Sequence, residues 1–273
     1  MAWYKAIGDY TSALRGIGRR EATITLYRQY LYTAAEHLAG SPWDVTGRDI
    51  EHLMGRPTWG PSARKSLRSA LVGFYRWALR SGLIDEDPSC SIPSVRVPAG
   101  IPRPAPEPVL ACALEAADTR TRLMLRLAGF AGLRAGEISR VHSRDLTGDL
   151  LIVHGKGGRQ REIPIVDDGD RERISSADGW LFPSPAGGHL TPAYVSKLMR
   201  TALDGAWTGH TLRHRFGTRA YEGSRDLLAV CRLLGHANPA TTLVYVRMPE
   251  DHMRDAARAA ASLGALAAVP LAA

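Results

Sequence analysis

The segment LLGHANPATTLVY, residues 233–245, joins the end of one helix, the start of another and a tyrosine. An apolar helix is expected to stop at Gly235, and the Asn-Pro pair at 238–239 is typical of a helix cap followed by a first-turn proline. Tyr245 follows nine residues after His236. A tyrosine in such an apolar stretch is more often a packing residue than a nucleophile, so the other polar residues of the chain must decide its role.

The composition indicates a folded protein with a polyanionic partner. The chain has 273 residues, of which 45% are hydrophobic and 23% charged, so it can form one large or two ordinary domains. Its formal net charge of +8 favours DNA or RNA as the partner, with a basic soluble protein as the alternative. The three cysteines are far apart, which predicts neither a disulfide framework nor a zinc site. We find no signal sequence or membrane span and expect a cytoplasmic protein.

The first part of the chain, from about residue 9 to residue 97, reads as helical. Apolar residues recur at helical spacing over 21–38, and Thr46 is a good cap for a short helix. The longest helix is expected to begin at Pro61. Its basic residues form either a solvated surface or a face that contacts DNA phosphates, and the sequence leaves this choice open. They include Arg64, Lys65, Arg68 and Arg76.

A proline-rich segment at 98–108 divides the chain. Its prolines forbid a regular helix and favour an extended, fairly stiff linker. We therefore predict an N-terminal domain over 1–97 and a second domain over 109–273. Arg96 and Arg103 are candidates for contact with a phosphate backbone.

The second domain is predicted to be mostly helical, with one β-hairpin. The hairpin consists of strands over 150–154 and 161–165 around a glycine-rich turn that contains Lys156. The fold class is thus mainly α, with a small antiparallel β element. Helices are expected over 109–117, 121–131, 192–203, 211–221, 225–234 and from Pro249 onward, including an alanine-rich tail over 255–268. The glycine-flanked turn at 132–138 is expected to enter a further helix.

Six residues of the second domain carry groups that are suited to chemistry on a phosphodiester. Taken singly, each has an ordinary explanation, such as a surface arginine, a charged turn or a helix-capping histidine. Together, five potential cations and one phenol are poorly suited to a packed core, because unpaired buried charge is costly. The six are Arg134, Lys156, His210, Arg213, His236 and Tyr245.

These residues suggest a division of labour at a single phosphate. The two arginines would hold its non-bridging oxygens, and Tyr245 would attack phosphorus in line. Lys156 would protonate the leaving sugar oxygen. Such a centre requires no metal, since the cations themselves stabilise the transition state.

The order of the four motifs resembles the tyrosine recombinase (phage integrase) family. The segment GLRAGEI at 132–138 resembles the family's first-arginine box, and GKGG at 155–158 resembles its catalytic-lysine turn. The segment HTLRH at 210–214 resembles its His-x-x-Arg box. LLGH at 233–236, followed by Tyr245, resembles its nucleophile region. The helical segment 9–97 is less specifically similar to the family's core-type DNA-binding domain.

The resemblance implies a site-specific DNA recombinase that forms a 3′-phosphotyrosine link and needs no cofactor or metal. It also implies that His210 assists proton transfer from Tyr245 and that His236 hydrogen-bonds the phosphate. The expected partners are double-stranded recombination sites, bound as a homotetramer on two duplexes. Integration or excision of a phage or mobile element is the expected role, in a short two-domain integrase or a Xer-type form, and a directionality factor is left open. Candidate DNA contacts are Arg64, Lys65, Arg68, Arg76, Arg96, Arg103, Arg159 and Arg215.

Three other functions remain open at this stage. A type IB topoisomerase would share the chemistry but would relax supercoils without joining partners. A non-catalytic DNA-binding regulator would tolerate the loss of the Tyr245 hydroxyl. A metal-dependent nuclease is disfavoured because the sequence lacks clustered carboxylates with ligand spacing. The last residues, 269–273, also resemble a bacterial degradation tag ending in Ala-Ala.

Overall fold

The N-terminal part of the chain is built from four helices. The computed structural model describes residues 2–98, 103–155 and 158–236, together with Arg254 and Arg258. The chain separates into two units, 1–100 and 101–273. The helices of the first unit are α1 (Ala2–Gly16), α2 (Glu21–His37), α3 (Gly47–Gly55) and α4 (Pro61–Arg80).

The core of the first unit is centred on Phe74 of α4, which is fully buried. Trp3 and Trp43 stack near its ring, with centroid separations of 5.8 and 5.9 Å, and Tyr10 meets it edge-on at 5.6 Å. The predicted helix at Pro61 is confirmed, and its buried face includes Leu67, Leu71 and Tyr75. Leu79, which was expected on the same buried stripe, is exposed. Helix α1 begins at Ala2, earlier than the predicted residue 9, because Trp3 and Tyr10 belong to one buried face of the same helix.

The second unit contains seven α-helices and one sheet within its described residues. The predicted hairpin is confirmed, with Leu151 opposite Ile163 in antiparallel register. The elements are α5 (Glu107–Ala116), α6 (Thr119–Phe130), α7 (Ala135–Ile138), β1 (Leu146–Thr147), β2 (Leu150–His154), β3 (Gln160–Pro164), α8 (Asp168–Ser175), α9 (Pro192–Ala202), α10 (Gly209–Ser224) and α11 (Leu227–Leu234).

Strand β1 and helix α8 of the second unit were not predicted. Strand β1 has only two residues and extends the sheet to the order β1-β2-β3. Helix α8 is capped by the Asp167 side chain, which accepts the backbone N–H of Asp170 at 2.9 Å. Only Asp170 and Ile174 are buried in this polar helix, so its sequence carries little apolar periodicity.

The helix after the linker begins earlier than expected. Helix α5 starts at Glu107 and not at residue 109, because Pro108 occupies its first turn, where a proline needs no N–H partner. Ahead of it, the backbone N–H of Ala105 donates to the carbonyl of Thr211 at 3.1 Å. The second half of the predicted linker is therefore attached to α10 within the second unit.

The hydrophobic core of the second unit lies between its helices and one face of the sheet. Alternate strand residues Leu151, Val153 and Ile163 are buried, as expected for a sheet with one covered face. Helix α6 contributes residues such as Met124 and Leu125, which are fully buried. This core fixes the turn that follows α6, where the first predicted arginine lies.

Several predictions fall outside the described residues. They concern Lys156, Tyr245 and the tail over 255–268, of which only Arg258 is described. The resemblance of 269–273 to a degradation tag also lies there. Among the residues that the structure does describe, no helix is long and apolar enough to cross a membrane.

Candidate active site

The turn between α6 and α7 presents Arg134 at the start of a helix. Gly132 adopts a left-handed conformation with φ of +67°, and a side chain there would collide with the ring of Phe216 on α10. The backbone N–H of Arg134 donates to Glu137 Oε2 at 2.9 Å, which caps the helix. The glycine therefore allows α10 to approach the turn closely, and the cap fixes the backbone that carries Arg134.

Glu137 is the centre of a group of three arginines. Its side chain is only 4% exposed. Arg134 Nη1 lies 2.8 Å from Oε1, Arg161 Nη2 lies 2.8 Å from Oε2, and Arg213 Nη1 lies 3.8 Å from Oε2. Burial by itself would raise the pKa of Glu137. Hydrogen bonds from Arg161 and the Arg134 backbone, with the charges of both arginines, outweigh burial and lower this pKa to about 2. Glu137 is thus a carboxylate anion at neutral pH.

Arg213 is the most deeply buried member of this group, with a side chain that is 2% exposed. It projects from α10 and donates hydrogen bonds to the carbonyls of Gly132 and Leu234. These carbonyls belong to the α6–α7 turn and to the end of α11. One guanidinium therefore connects three segments that are distant in sequence, and its orientation is fixed by the fold.

A cavity of about 560 Å³ adjoins this group. It is lined by Arg134, His210 and Arg213, and by residues of α9 such as Ser196 and Arg200. The Arg134 side chain is 45% exposed, so its guanidinium can meet a solute in the cavity while it contacts Glu137. The structure thus brings three of the six predicted site residues to one pocket.

The His-x-x-Arg segment contributes two histidines in contact. The rings of His210 and His214 meet edge-on, with centroids 4.3 Å apart. Partial burial and the charges of Arg213 and Arg134 lower the pKa of His210. Burial, His210 and Arg213 lower the pKa of His214 to about 4. His214 lies on the same helix face as His210, because residues four apart share a helix face.

His236 follows the glycine that ends α11. Gly235 has a left-handed φ of +60°, and the N–H of His236 donates to the carbonyl of Cys231 at 3.1 Å. Burial lowers the pKa of His236 to about 4, with further lowering by the charges of Arg213, Arg134 and Arg161. An imidazole in this position is neutral at pH 7, so it can donate or accept a proton.

Arg161 also belongs to the group around Glu137, and sequence reasoning missed this residue. Its Nη1 and Nη2 atoms donate to the two oxygens of Glu137 at 2.9 and 2.8 Å, and its Nε donates to the carbonyl of Leu233 at 2.8 Å. A signal was present in the strand pattern. Arg161 shares a face of β3 with the buried Ile163, and a charged residue on a core-facing side requires a partner.

The candidate DNA contacts of the first unit differ in their surroundings. Arg68 donates through Nε and Nη2 to the carbonyl of Ile92, at 3.2 and 2.7 Å. Arg64 donates to the carbonyl of Arg56 at 3.1 Å. The remaining candidates are exposed, namely Lys65, Arg76 and Arg96. The structure therefore gives Arg64 and Arg68 roles in their own unit, whereas the exposed residues stay available to a polyanion.

The candidate DNA contacts of the second unit also include a residue bonded within the unit and residues that are exposed. Arg215 donates to both oxygens of Glu107, at 3.0 and 2.7 Å, and to the carbonyl of Gly129, and its side chain is 11% exposed. Arg215 is thus mostly buried and paired within its own unit. The Arg103 guanidinium lies 4.3 Å from the ring centroid of Trp207. Arg159, beside the hairpin turn, is exposed.

Comparison with known proteins assigns the family. Residues 107–252 match the phage integrase family, a range that covers the arginine group and extends past Tyr245. The chain belongs to the phage integrase family. It is 31% identical to tyrosine recombinase XerD of Caulobacter vibrioides, over 92% of this chain and 93% of that protein. It is 32% identical to tyrosine recombinase XerC of Chromohalobacter salexigens, over 86% and 88%. The protein is accordingly a tyrosine recombinase, as predicted.

Solved structures of this family share the fold. A lambda integrase dimer bound to a COC′ core site superposes with a TM-score of 0.69 at 20% identity, covering 89% of this chain and 76% of that one. The XerH recombinase bound to its difH substrate gives a TM-score of 0.59 at 20% identity, covering 86% and 76%. The mainly helical fold class with a small antiparallel sheet is confirmed.

Proposed function

We propose that this recombinase cuts and rejoins DNA at specific sites through a 3′-phosphotyrosine link to Tyr245. One observation carries the proposal. Arg134, His210 and Arg213 line one pocket, which therefore contains two guanidiniums and an imidazole. The buried carboxylate of Glu137 contacts both guanidiniums. Bidentate guanidiniums are suited to the two non-bridging oxygens of a phosphodiester.

Each proposed chemical step transfers a phosphoryl group between two oxygens. The Tyr245 oxygen attacks phosphorus, and the bond from phosphorus to the 5′ oxygen breaks. The phenolic proton passes to His210, and Lys156 protonates the leaving 5′ oxygen. The reverse reaction, with a 5′-hydroxyl of the partner strand, releases Tyr245 and restores the DNA. No bond energy is lost, so the step needs no external energy source.

The pocket provides the electrostatic part of this mechanism. Arg134 and Arg213 would neutralise the charge that grows on the non-bridging oxygens. His236 would donate a hydrogen bond to the same phosphate. For Lys156 and Tyr245 the proposal rests on the sequence motifs, both of which lie inside the family match over 107–252.

The proposed partners are two DNA duplexes held by four copies of the chain. The net charge of +8 and the exposed basic residues Lys65, Arg76, Arg96 and Arg159 support contact with phosphates. A lambda integrase tetramer bound to a Holliday junction supports the assembly, since it shares this fold with a TM-score of 0.66 at 19% identity, covering 86% of this chain and 77% of that one. We retain a directionality factor as a partner to be tested.

We further propose integration or excision of a phage or mobile element as the biological role. The second candidate is a Xer-type role in chromosome-dimer resolution, which the similarity to XerC and XerD favours. A recombination assay between two plasmids that carry candidate sites distinguishes the two roles. A mobile-element role requires recombination at sequences flanking the gene, whereas the Xer-type role requires it at a site from the chromosome.

The chemistry is tested with nicked suicide substrates that carry candidate sites, in the presence of a chelator. After cleavage the short fragment diffuses away, so the covalent complex accumulates and shifts on a denaturing gel. Wild-type protein should form the complex and Tyr245→Phe should not, although both should bind the DNA. Equal behaviour of the two proteins on a site that both bind would support a non-catalytic regulator. Activity that requires a metal would support the nuclease.

A further inference from the structure

We propose that Arg161 is a positioning residue for DNA cleavage. Its guanidinium connects the Glu137 carboxylate, which contacts Arg134 and Arg213, to the end of helix α11, immediately before His236. This inference rests on the proposed function. Arg161 belongs to strand β3 and does not line the cavity beside Arg134. It would therefore act through its neighbours and not through contact with the DNA.

The geometry of Arg161 uses three donors at once. Nη1 and Nη2 form a parallel pair of hydrogen bonds with the oxygens of Glu137, at 2.9 and 2.8 Å. Nε points to the carbonyl of Leu233 at 2.8 Å. The side chain is only 12% exposed, so little water competes for these bonds. A lysine has a single nitrogen on a flexible stem and cannot reproduce this fork.

The first consequence concerns the charge around Glu137. This single carboxylate faces three guanidiniums, and Arg161 supplies the bidentate share of its hydrogen bonds. Without Arg161, the buried carboxylate would draw Arg134 and Arg213 more strongly toward itself. Arg134, whose side chain is 45% exposed, would then turn away from the pocket, where the phosphate is expected. Arg161 therefore keeps Arg134 directed at substrate.

The second consequence concerns the end of α11. The last carbonyls of a helix lack intrahelical partners, and here Arg161 and Arg213 bind the successive carbonyls of Leu233 and Leu234. The next residue is Gly235. A Cβ atom at that position would lie 2.7 Å from Cδ of Arg161, so the contact requires glycine. Arg161 thereby fixes the backbone immediately before His236.

The test compares Arg161→Lys and Arg161→Ala with wild type on a suicide substrate at saturating protein. The affinity for an intact site is measured separately in a Tyr245→Phe background. The cleavage rate should fall about 10- to 100-fold in both variants, as expected for a small misplacement of reacting groups. The affinity should stay within about threefold, because Arg161 makes no phosphate contact. Added ethylguanidinium should partly restore cleavage by Arg161→Ala, whereas ethylammonium should not.

Arg126→Lys is the matched control. Arg126 lies in the same unit and forms short ion pairs with Asp170 and Asp167, at 2.6 and 2.7 Å, without lining the cavity. Its substitution should lower the stability and leave the cleavage rate of the folded protein unchanged. If Arg161→Ala does not fold, Arg161→Lys decides the outcome.

Three results would overturn the inference. Wild-type cleavage by Arg161→Lys would show that the fork is not needed. A loss of DNA affinity as large as the loss of cleavage rate would show that Arg161 only stabilises the fold. Slowing of cleavage by Arg126→Lys to the same extent as by the Arg161 variants would show the same. These results leave the proposed function intact. Absence of a covalent complex with wild type, on a site that it binds, would refute the proposed function together with the positioning role.

Discussion

Glu137 shows how one buried residue organises the site. Its carboxylate contacts Arg134, Arg161 and Arg213. The excess positive charge of this group is suited to a phosphate and is unfavourable in its absence. Burial, together with the same charge, opposes protonation of the nearby imidazoles and lowers the pKa values of His210 and His236.

Replacing Glu137 with glutamine should destabilise the protein by about 3 kcal/mol, because guanidiniums that are nearly buried would lose their counter-charge. Urea denaturation at pH 7 provides the measurement. The exposed Glu172, replaced in the same way, should change the free energy of unfolding by less than about 0.5 kcal/mol. Equal effects of the two substitutions would contradict a central role for Glu137.

The lowered histidine pKa values predict a loss of stability in mild acid. Because the pKa of His214 is about 4 in the folded protein and 6.5 as its ordinary value, the unfolded chain takes up a proton first as the pH falls. Its contribution is therefore fully present above pH 6.5 and is lost progressively toward pH 4. His214→Asn should flatten this part of the stability profile.

Denaturant titrations between pH 7.5 and pH 4.5 test this pH dependence. The exposed His52, replaced by asparagine, controls for the substitution itself. A profile for His214→Asn as steep as that of wild type would show that His214 does not titrate as argued.

At the scale of elements, the end of α11 determines the backbone that carries His236. Gly235 combines a φ of +60° with close contact to Arg161. Gly148, in the turn between β1 and β2, has nearly the same φ of +61°, but a Cβ atom added there would meet no other atom within 4 Å. Substitutions at Gly148 and Gly235 therefore distinguish the cost of backbone strain from the cost of losing the contact with Arg161.

Gly148→Ala should cost about 1 kcal/mol through backbone strain alone, with no change in the rate of covalent-complex formation. Gly235→Ala should cost more and should slow the formation of the complex, because the added methyl group displaces Arg161. Thermal unfolding and suicide-substrate cleavage report the two effects. A full cleavage rate for Gly235→Ala would contradict the role assigned to this helix end.

For the whole molecule, the excess of positive charge predicts binding that depends strongly on salt. Each phosphate contact releases counterions, so a plot of log affinity against log salt should be linear and negative. Arg76→Ala should make the slope of this plot shallower by the amount expected for the loss of about one phosphate contact. Arg15→Ala is the control, because Arg15 is paired with Glu21 at 3.0 Å. Equal slopes for Arg76→Ala and wild type would remove Arg76 from the proposed contacts.

Two of the predicted DNA contacts have partners within their own unit. Arg68 and Arg215 look like surface residues in the sequence, but each is bonded to its own unit, Arg68 to the Ile92 carbonyl and Arg215 to Glu107. Charge and helical spacing cannot reveal a partner that lies 24 or 108 residues away. Their part in DNA binding stays a prediction with less support than before.

The sequence by itself determined the order of the motifs, the main helices and the hairpin, because these depend on local spacing, capping and period. It also identified Arg134, His210 and Arg213 as partners before any contact was known. Only the tertiary structure revealed the role of Arg161, which reaches Glu137 across 24 residues and Leu233 across 72. A charged side chain acquires such a role from burial and from the groups that folding brings to it, and neither is written in its neighbours along the chain.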